Sequence, residues 1–230
     1  MTMATSTAQF IERYAQGETR PRLLDLFCGA GGAAMGYYRA GFEVVGVDIK
    51  PQPHFPFEFH QADALTYPLD GFDAYHASPP CQAYTRLTPP EYKSNHPDLI
   101  EPIKERLKAT GKFYVIENVP DALFLLDNPL MLCGTMFNLP THRHRYFEIN
   151  PPYYPLLPRC HRIKCPVVVS GTTRRKTGRL EYRVAEVCKA MKIDWMNRKE
   201  LDEAIPPAYT EYIGKYLLKE VLRDDRLSRA

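Results

Sequence analysis

A predicted strand, helix and second strand near the start of the chain limit the possible folds more than any other feature. Buried apolar runs and helical spacing place these elements at Leu23–Phe27, Ala33–Ala40 and Phe42–Val47. The first turn contains Gly29, Gly31 and Gly32, and the second strand ends in Asp48, nineteen residues after Gly29. In dinucleotide-type folds such glycines let the backbone approach a ligand, and an acid at this spacing accepts both ribose hydroxyls. The sequence therefore predicts an α/β fold with a nucleotide-like ligand at this turn.

Polar residues follow several other predicted strands. We predict a helix at Leu99–Thr110 and strands at Phe57–His60, Phe72–Ala77, Lys112–Ile116 and Tyr146–Ile149, the last at an edge of the sheet. Cys81 comes shortly after one of these strands, and Glu117 and Asn118 directly follow another. Open α/β sheets bind ligands outside the carboxyl ends of their strands. These side chains are therefore expected to meet Asp25 and Asp48 at one rim.

The length and composition of the chain fit one globular domain. At 230 residues the chain can bury a sizeable core. It has 30 Lys and Arg against 27 Asp and Glu, so a nucleic-acid surface would require local clustering of positive charge. The sequence has neither a signal-peptide pattern nor an apolar run of about 18 residues or more. We therefore expect a cytoplasmic protein that makes no membrane contact.

The cysteine pattern favours reduced thiols. Six cysteines at irregular spacings, in a chain large enough to fold without crosslinks, do not form a disulfide framework. They are Cys28, Cys81, Cys133, Cys160, Cys165 and Cys188. Cys160, His161 and Cys165 are close enough in sequence to suggest zinc, but a fourth ligand at an ordinary spacing is missing. We therefore expect no metal site.

One cysteine stands where a nucleophile would be presented. The segment Ser78-Pro79-Pro80-Cys81-Gln82 follows a predicted strand, and its two prolines stiffen the backbone where that strand ends. This places the Cys81 thiol on a rigid turn at the carboxyl edge of the sheet. Taken alone, a cysteine is more often a buried core residue than a nucleophile. The other motifs of the chain decide between these two interpretations.

Four motifs occur in the order and approximate spacing of one enzyme family. They are Asp25-Leu26-Phe27-Cys28-Gly29-Ala30-Gly31-Gly32, Ser78-Pro79-Pro80-Cys81-Gln82, Glu117-Asn118-Val119 and Arg143-His144-Arg145. As a set they resemble the DNA cytosine-5 methyltransferases, and the C-terminal segment resembles the tail of small phage-type members. The resemblance implies a Rossmann-like, S-adenosylmethionine-dependent methyltransferase fold. Its sheet would be mostly parallel, with helices on both faces and a reduced target-recognition region.

The resemblance also implies an activity and a set of site residues. The chain would transfer a methyl group from S-adenosylmethionine to carbon 5 of a flipped-out cytosine in double-stranded DNA, through a covalent Cys81 adduct. The implied catalytic residues are Cys81, Glu117, Arg143 and Arg145. The residues implied to bind S-adenosylmethionine are Asp25, Phe27, Gly29, Gly31, Asp48, Ile49, Asp63, Ala64, Pro80 and Tyr209. The residues expected to contact DNA are Pro80, Gln82, Thr85, Arg86, Asn118, Arg174, Arg175 and Lys176.

Four regions are expected along the chain. They are an N-terminal extension at 1–21, a catalytic domain at 22–149, a short basic recognition segment at 150–189, and C-terminal helices at 190–230 that complete the catalytic domain. Between Arg143 and Arg183, ten Lys or Arg stand against two acids, which we interpret as a phosphate-contacting surface. In the family, a loop such as Gln82–Pro97 closes over DNA, and the last helix packs beside the first.

Two alternatives remain open at the level of sequence. One branch of the family methylates transfer RNA by the same chemistry, so an RNA substrate is the first alternative. A catalytically idle DNA-binding protein of the same fold is the second. That protein would have no need of Cys81, Glu117 and Arg145 together, so the combination favours an enzyme.

Overall fold

Short apolar strands form the central layer of the protein. The computed structural model describes residues 19–85, 88–93, 96–164, 166–169 and 183–228. Its strands are β1 (Arg22–Leu26), β2 (Glu43–Asp48), β3 (Glu58–Gln61), β4 (Ala74–Ala77), β5 (Phe113–Asn118), β6 (Leu130–Leu132) and β7 (Arg145–Asn150). They form one seven-stranded sheet in the order β3-β2-β1-β4-β5-β7-β6.

Helices connect and flank these strands. They are α1 (Gly32–Ala40), α2 (Pro90–Lys93), α3 (Ile100–Ala109), α4 (Val184–Met191), α5 (Arg198–Glu203) and α6 (Pro207–Ser228). The eight predicted elements are confirmed, each end within two residues of its predicted position. Gly41 ends α1 as expected: it adopts φ 118°, and its N–H donates to the carbonyls of Tyr37 and Tyr38. The short helix α2 lies inside the Gln82–Pro97 segment, which the resemblance predicts to be a loop.

The pairing of the strands brings several carboxyl ends to one edge. Strand β1 lies between β2 and β4, with β3 beyond β2 and β5 beyond β4, and all four pairings are parallel. Leu26 at the end of β1 is in register with Val47 and Ala77, and Ala77 is in register with Ile116. The residues that follow these positions therefore share one edge of the sheet.

The predicted edge position of Tyr146–Ile149 is wrong. Strand β7 pairs antiparallel with β5 on one side and with β6 on the other, so β6 is the edge strand. The three-residue strand β6 covers the outer side of β7 between Arg145 and Phe147. Antiparallel pairing with β5 brings the start of β7, where Arg145 stands, beside the carboxyl end of β5.

Alternation along the strands divides the core between the two faces of the sheet. Leu23 packs in a cluster with residues of α1 and α6, whereas its neighbour Leu24 packs in a second cluster with residues of α3. Helix α6 lies against α1 so closely that a Cβ on Gly36 would fall 2.0 Å from the Thr210 Oγ1 atom. This confirms that the last helix packs beside the first.

A third, smaller core joins the C-terminal helices to the glycine turn. It contains apolar residues of α4 and α5 together with Ala30 and Val169. The Trp195 indole N–H donates to the Ala30 carbonyl at 2.8 Å, which connects this core to the turn after β1. Helix α4 crosses the boundary that we predicted at residue 189, so part of the expected basic segment belongs to this packed unit. The division into four regions stays a prediction.

Two further expectations concern the described residues only. Five of the six cysteines lie in the described ranges, and each of these five is a free thiol, as the sequence predicts. No helix in those ranges combines the length and the apolar character that a membrane crossing requires.

Candidate active site

The turn after β1 forms an open cradle. Phe27, Gly29 and Gly31 all have positive φ angles, of 58°, 49° and 83°. A Cβ on Gly31 would meet the Pro56 Cδ atom at 2.8 Å, so this position requires glycine for space as well as for conformation. Apart from its two neighbours in the chain, no described residue would have an atom within 4 Å of a Cβ on Gly29. The backbone at Gly29 is therefore exposed to a space that a ligand can enter.

The carboxylate of Asp48 lies beside this cradle at the end of β2. Its Oδ2 accepts the Gly29 N–H at 3.1 Å and its Oδ1 accepts the Lys50 N–H at 2.9 Å. Each oxygen keeps a lone pair for a further donor, such as a ribose hydroxyl. The next side chain, Ile49, is 65% exposed although it is a large apolar residue. We call Phe27, Gly29, Gly31, Asp48 and Ile49 the glycine rim.

Three other residues predicted to bind the methyl donor differ in how far they are exposed to solvent. Asp63 is exposed, and its Oδ1 accepts the Leu65 N–H at 2.9 Å, whereas Ala64 is buried. Asp25 is fully buried below the glycine rim, and within the described residues its carboxylate oxygens lack a hydrogen bond of good geometry. Burial first, and then the charge of Asp48, raise the pKa of Asp25 well above its ordinary value, which the Ala34 backbone only partly offsets. Direct ligand contacts at these residues stay predictions.

A buried histidine anchors the turn that carries Cys81. His76 in β4 is fully buried, and its ring nitrogens lie 2.9 Å from the Tyr37 hydroxyl and 2.8 Å from the Ser78 hydroxyl. Burial lowers the pKa of His76 to about 3, so its ring is neutral at physiological pH. The side-chain amide of Asn118 donates to the Pro79 carbonyl at 2.9 Å. The turn before Cys81 is thus attached to the sheet at two successive residues.

Cys81 itself begins a second, tighter turn. Its carbonyl accepts the N–H groups of Tyr84 and Thr85 at 3.0 and 2.9 Å. The Cys81 side chain is half-buried, while Pro80 and Gln82 on either side are exposed. The thiol is therefore held at the surface of the sheet edge by a backbone that is fixed on both sides.

Glu117 and Arg145 meet next to this thiol. Glu117 stands near the end of β5 and is 5% exposed. The Arg145 Nε atom lies 2.9 Å from its Oε1, an ion pair without the geometry of a hydrogen bond. The Arg145 Nη1 group donates to the His144 carbonyl at 2.9 Å, which holds the guanidinium in place. We call Cys81, Glu117 and Arg145 the cysteine rim.

Burial dominates the acid–base properties of the cysteine rim. It raises the pKa of Cys81; the Arg145 charge lowers that pKa, and Glu117 opposes Arg145. Burial likewise raises the pKa of Glu117, and Arg145 and then Arg143 offset only part of that rise. In the structure without substrate, Cys81 is therefore a thiol at neutral pH, and Glu117 holds its proton more strongly than an exposed glutamate.

Arg143 is a buried residue close to Glu117. It is 7% exposed, and its Nη2 group donates to the Asp202 carbonyl at 2.8 Å. Burial lowers the pKa of Arg143 to about 9, with Arg145 as the next cause. The Tyr209 hydroxyl donates to the Arg143 carbonyl at 2.6 Å from a fully buried position. Tyr209 therefore positions the arginine segment. Its side chain is fully buried, and its contact with the methyl donor stays a prediction.

The residues predicted to contact DNA differ in their exposure to solvent. Pro80 and Gln82 are exposed beside Cys81, whereas Thr85 is buried and Asn118 is buried with its amide bonded to Pro79. The predicted DNA-contacting residues that lie outside the described ranges are Arg86, Arg174, Arg175 and Lys176.

Sequence reasoning missed several residues that support the site. Tyr37 and Trp195 bond His76 and the Ala30 carbonyl, which are distant from them in sequence, and His76 in turn bonds the nearby Ser78 hydroxyl. The only signal in the sequence is that His76 interrupts a predicted strand, and a polar residue in a buried strand requires a partner.

Three solved structures share the fold of this chain. A protein described as a DNA modification methyltransferase encoded within a prophage (E. coli) has a TM-score of 0.59 and 16% identity, covering 88% of this chain and 99% of its own. Entamoeba histolytica methyltransferase EhMeth has a TM-score of 0.59 at 14% identity, over 89% of this chain and 99% of its own. The S. pombe Dnmt2 methyltransferase has a TM-score of 0.55 at 14% identity, over 88% and 99%.

These likenesses confirm the predicted fold class. The chain has a Rossmann-like fold that it shares with these three methyltransferases, with a mostly parallel sheet between helical layers. Comparison of the sequence with models of known protein families and with curated proteins gives no match. At identities of 14 to 16% the likeness establishes the fold, and function has to be argued from the site.

Proposed function

We propose that this protein transfers a methyl group from S-adenosylmethionine to carbon 5 of cytosine in DNA, through a covalent adduct on Cys81. The observation that carries the proposal is the cysteine rim: a half-buried thiol on a braced turn, next to a buried carboxyl group with a raised pKa and its guanidinium partner. This rim lies on the same sheet edge as the glycine rim, within a methyltransferase fold.

The residues of the glycine rim fit S-adenosylmethionine. The open space at Gly29 admits a ligand close to the backbone, and the Asp48 carboxylate has lone pairs for ribose hydroxyls. The exposed Ile49 side chain offers an apolar surface to an adenine ring, which would cover it. When bound, S-adenosylmethionine supplies the methyl group. The residues of the rim bind and orient it.

Cys81 and Glu117 supply the chemistry that cytosine needs. Carbon 5 of cytosine is too weak a nucleophile to accept a methyl group unaided. Addition of the Cys81 thiolate to carbon 6 forms a sulfur–carbon bond and turns carbon 5 into an enamine-like nucleophile. The proton of Glu117 hydrogen-bonds ring nitrogen 3, where negative charge develops. After carbon 5 is methylated, its proton leaves to a base and the sulfur–carbon bond breaks, which restores the aromatic ring and the thiolate.

Arg145 acts on both partners of this reaction. Its charge lowers the pKa of Cys81, which favours the thiolate that attacks. Its ion pair with Glu117 holds that carboxyl group near the thiol. The second arginine of the motif also stands where the resembling family binds the oxygen of the base, and we assign Arg145 this contact.

The substrate has to be extruded from the double helix. A stacked cytosine cannot present its face to the Cys81 thiol and the methyl donor together, so base flipping is required. Pro80 and Gln82 are exposed beside the thiol, in position to contact the flipped nucleotide. Arg174, Arg175 and Lys176 belong to the basic sequence that we propose contacts phosphates.

A mechanism-based trap tests this proposal. Long duplex DNA is synthesised with 5-fluorocytosine in place of cytosine, so that every target sequence is present, and is incubated with enzyme and S-adenosylmethionine. Fluorine at carbon 5 cannot leave as a proton does, so the enzyme should stay attached to the DNA through denaturing electrophoresis. Peptide mass spectrometry should place the adduct on Cys81.

Matched cysteine variants control the trap. Cys81→Ala should abolish the adduct, whereas Cys188→Ala, which removes another half-buried free thiol, should leave it unchanged. An adduct on a different cysteine would refute the proposed nucleophile. An RNA containing 5-fluorocytidine forms the second arm, and trapping by RNA alone would refute the DNA substrate while retaining the chemistry.

A further inference from the structure

Four potential metal ligands from three parts of the chain come together in the structure, and two of them are neighbours of Arg143 and Arg145 in sequence. They are Cys133, His142, His144 and Cys160, and their ligand atoms all lie within 4.8 Å of one another. The Cys133 sulfur lies 3.9 Å from the His142 Nδ1 atom, and the Cys160 sulfur lies 3.4 Å from the His144 Nε2 atom. We call these four residues the Cys2His2 cluster.

We propose that the Cys2His2 cluster is a structural zinc site. Tetrahedral zinc with sulfur at about 2.3 Å and nitrogen at about 2.0 Å holds neighbouring ligand atoms roughly 3.3 to 3.8 Å apart. The two measured sulfur–nitrogen separations, 3.4 and 3.9 Å, are close to this range. The widest separation within the cluster is under 4.8 Å, so small side-chain movements bring all four atoms to bonding distance.

The donor set selects zinc over the hard cations. It consists of two thiols and two imidazoles and contains no carboxylate, whereas magnesium and calcium prefer oxygen ligands. Four protein ligands complete a tetrahedron and leave no position for a substrate, which is the pattern of a structural site. Cys133 is fully buried and the other three residues are half-buried, so the ion would be shielded and still able to reach its ligands.

Residues around the cluster already orient its ligands. The Thr135 hydroxyl lies 3.4 Å from the Cys133 sulfur and 3.6 Å from the Cys160 sulfur. The His161 N–H donates to the same Thr135 oxygen at 3.3 Å, which fixes the backbone beside Cys160. Binding at His142 Nδ1 would put the ring proton on Nε2, so the long 3.4 Å contact from the Ile163 N–H would have to open.

The position of the Cys2His2 cluster indicates which part of the chain a bound metal ion would stabilise. In the segment that leads into β7, histidines 142 and 144 alternate with the arginines of the site, and in extended backbone alternate side chains face opposite directions. Arg143 and Arg145 act on Glu117, whereas the histidines face Cys133 and Cys160. Zinc would therefore hold the segment with Arg143 and Arg145 in place from the side opposite to Glu117. It would also connect the chain near Cys160 to that segment.

The spacing explains why the sequence does not reveal this site. The ligands follow the pattern Cys-x8-His-x-His-x15-Cys, which lacks the short Cys-x2-Cys or His-x3-His pairs of ordinary zinc motifs. In the sequence, the potential ligands nearest to Cys160 are His161 and Cys165. Its partners in the structure are instead the residue that directly follows β6 and two histidines in the segment that leads into β7.

Metal content tests the proposal without reference to methyl transfer. The full chain is purified with its thiols reduced, loaded with zinc, freed of excess ion and analysed by mass spectrometry for zinc per chain. We expect one ion per chain. Cobalt in its place should show the visible absorption of a tetrahedral ion and a thiolate-to-metal charge-transfer band in the near ultraviolet.

Variants separate the cluster from other thiols and imidazoles. Cys160→Ser and His144→Gln should each weaken zinc binding by more than about 100-fold, and Thr135→Val by about 10-fold, because outer partners orient the ligands. Cys188→Ser and His161→Gln, which leave the cluster intact, should bind zinc as the parent does. Far-ultraviolet circular dichroism shows whether each variant is folded.

Two results would overturn the proposal. One is a folded chain that binds no zinc although its thiols, Cys133 and Cys160 included, are fully reduced. The other is retention of zinc at full affinity by folded Cys160→Ser. The trap at Cys81 can succeed or fail independently of both results, so this proposal and the proposed function are tested separately.

Discussion

The glycine rim and the cysteine rim occupy the same edge of the sheet but have opposite electrostatic character. At the glycine rim, burial and then the charges of Asp25 and Asp48 raise the pKa of the Cys28 thiol far above its ordinary value. At the cysteine rim, the Arg145 guanidinium lowers the pKa of Cys81 and offsets part of the effect of burial. Two cysteines that follow neighbouring strands therefore have different chemistry.

This difference separates binding from reactivity. The Asp48 carboxylate near Cys28 attracts a cation, such as a sulfonium methyl donor, whereas burial first, and then the nearby acids, keep the Cys28 thiol protonated and inert. A guanidinium near Cys81 favours a thiolate there and attracts an electron-rich base. In the proposed enzyme, the methyl donor and the Cys81 nucleophile are therefore surrounded by side chains of opposite charge.

The largest expected effect comes from Glu117→Gln. This change preserves the shape of the side chain but removes the acidic proton that offsets charge on ring nitrogen 3. Turnover should fall by about 100- to 1,000-fold, because the glutamine amide can still donate a hydrogen bond to ring nitrogen 3 but cannot transfer a proton to it. The measurement is methyl transfer from radiolabelled S-adenosylmethionine to DNA at saturating substrates.

The neighbouring acid Glu203 supplies the control for that measurement. Glu203 also acts on Cys81, but from an exposed position, so Glu203→Gln should change turnover little. Binding of S-adenosylmethionine, measured by calorimetry, should be unchanged in both variants because the glycine rim is intact. Normal turnover in Glu117→Gln would remove this residue from the mechanism.

A smaller effect is expected from Asp48→Ala at the glycine rim. Loss of charged hydrogen bonds to the ribose costs roughly 1.5 to 3 kcal/mol, so affinity for S-adenosylmethionine should fall about tenfold or more. Calorimetry with S-adenosylmethionine measures this directly. Asp48→Asn keeps an oxygen for the Gly29 N–H and separates loss of charge from loosening of the turn.

The opposite end of the same strand serves as the reference for Asp48. Glu43→Ala removes an exposed carboxylate from the amino end of β2 and should leave affinity unchanged. If Asp48→Ala binds S-adenosylmethionine as tightly as Glu43→Ala does, Asp48 does not contact the ligand.

The smallest effect concerns the pH dependence of thiol alkylation. A raised pKa means that Cys81 is mostly protonated at neutral pH, so its alkylation by iodoacetamide should accelerate from about pH 7 to 9 without a plateau. Arg145→Met removes the favourable charge and should slow the reaction several-fold at each pH. Mass spectrometry of the same samples should show Cys28 unmodified throughout. A rate that is already constant near pH 7 would contradict the raised pKa.

Much of the sheet and the glycine rim could be predicted because both depend on local sequence. Strands and helices are recognised by periodicities of two and 3.6 residues, which a few neighbouring positions reveal. The positions of Gly29, Asp48 and Cys81 follow from the ends of such elements. For this reason the βαβ unit, the helix at Ile100–Ala109 and the shared strand edge are all confirmed by the structure.

Other predictions failed or stay open where the orientation of a side chain matters. The sequence places Asp25, Asn118 and Tyr209 next to the correct elements, but each is buried in the structure. Tyr209 bonds the Arg143 carbonyl and Asn118 bonds the Pro79 carbonyl, and both partners are distant in sequence. The predicted edge position of β7 is wrong because β6, which comes earlier in the chain, pairs with its outer side.

The sequence by itself therefore determined the order of the strands along the chain, the glycine turn and the presentation of Cys81 after two prolines. Only the tertiary structure decided that Arg143 and Arg145 support Glu117 while His142 and His144 meet Cys133 and Cys160. The physical reason is that backbone periodicity is a property of adjacent residues. Charge pairing and metal ligation instead depend on distances between side chains that the folded chain alone brings within a few ångströms.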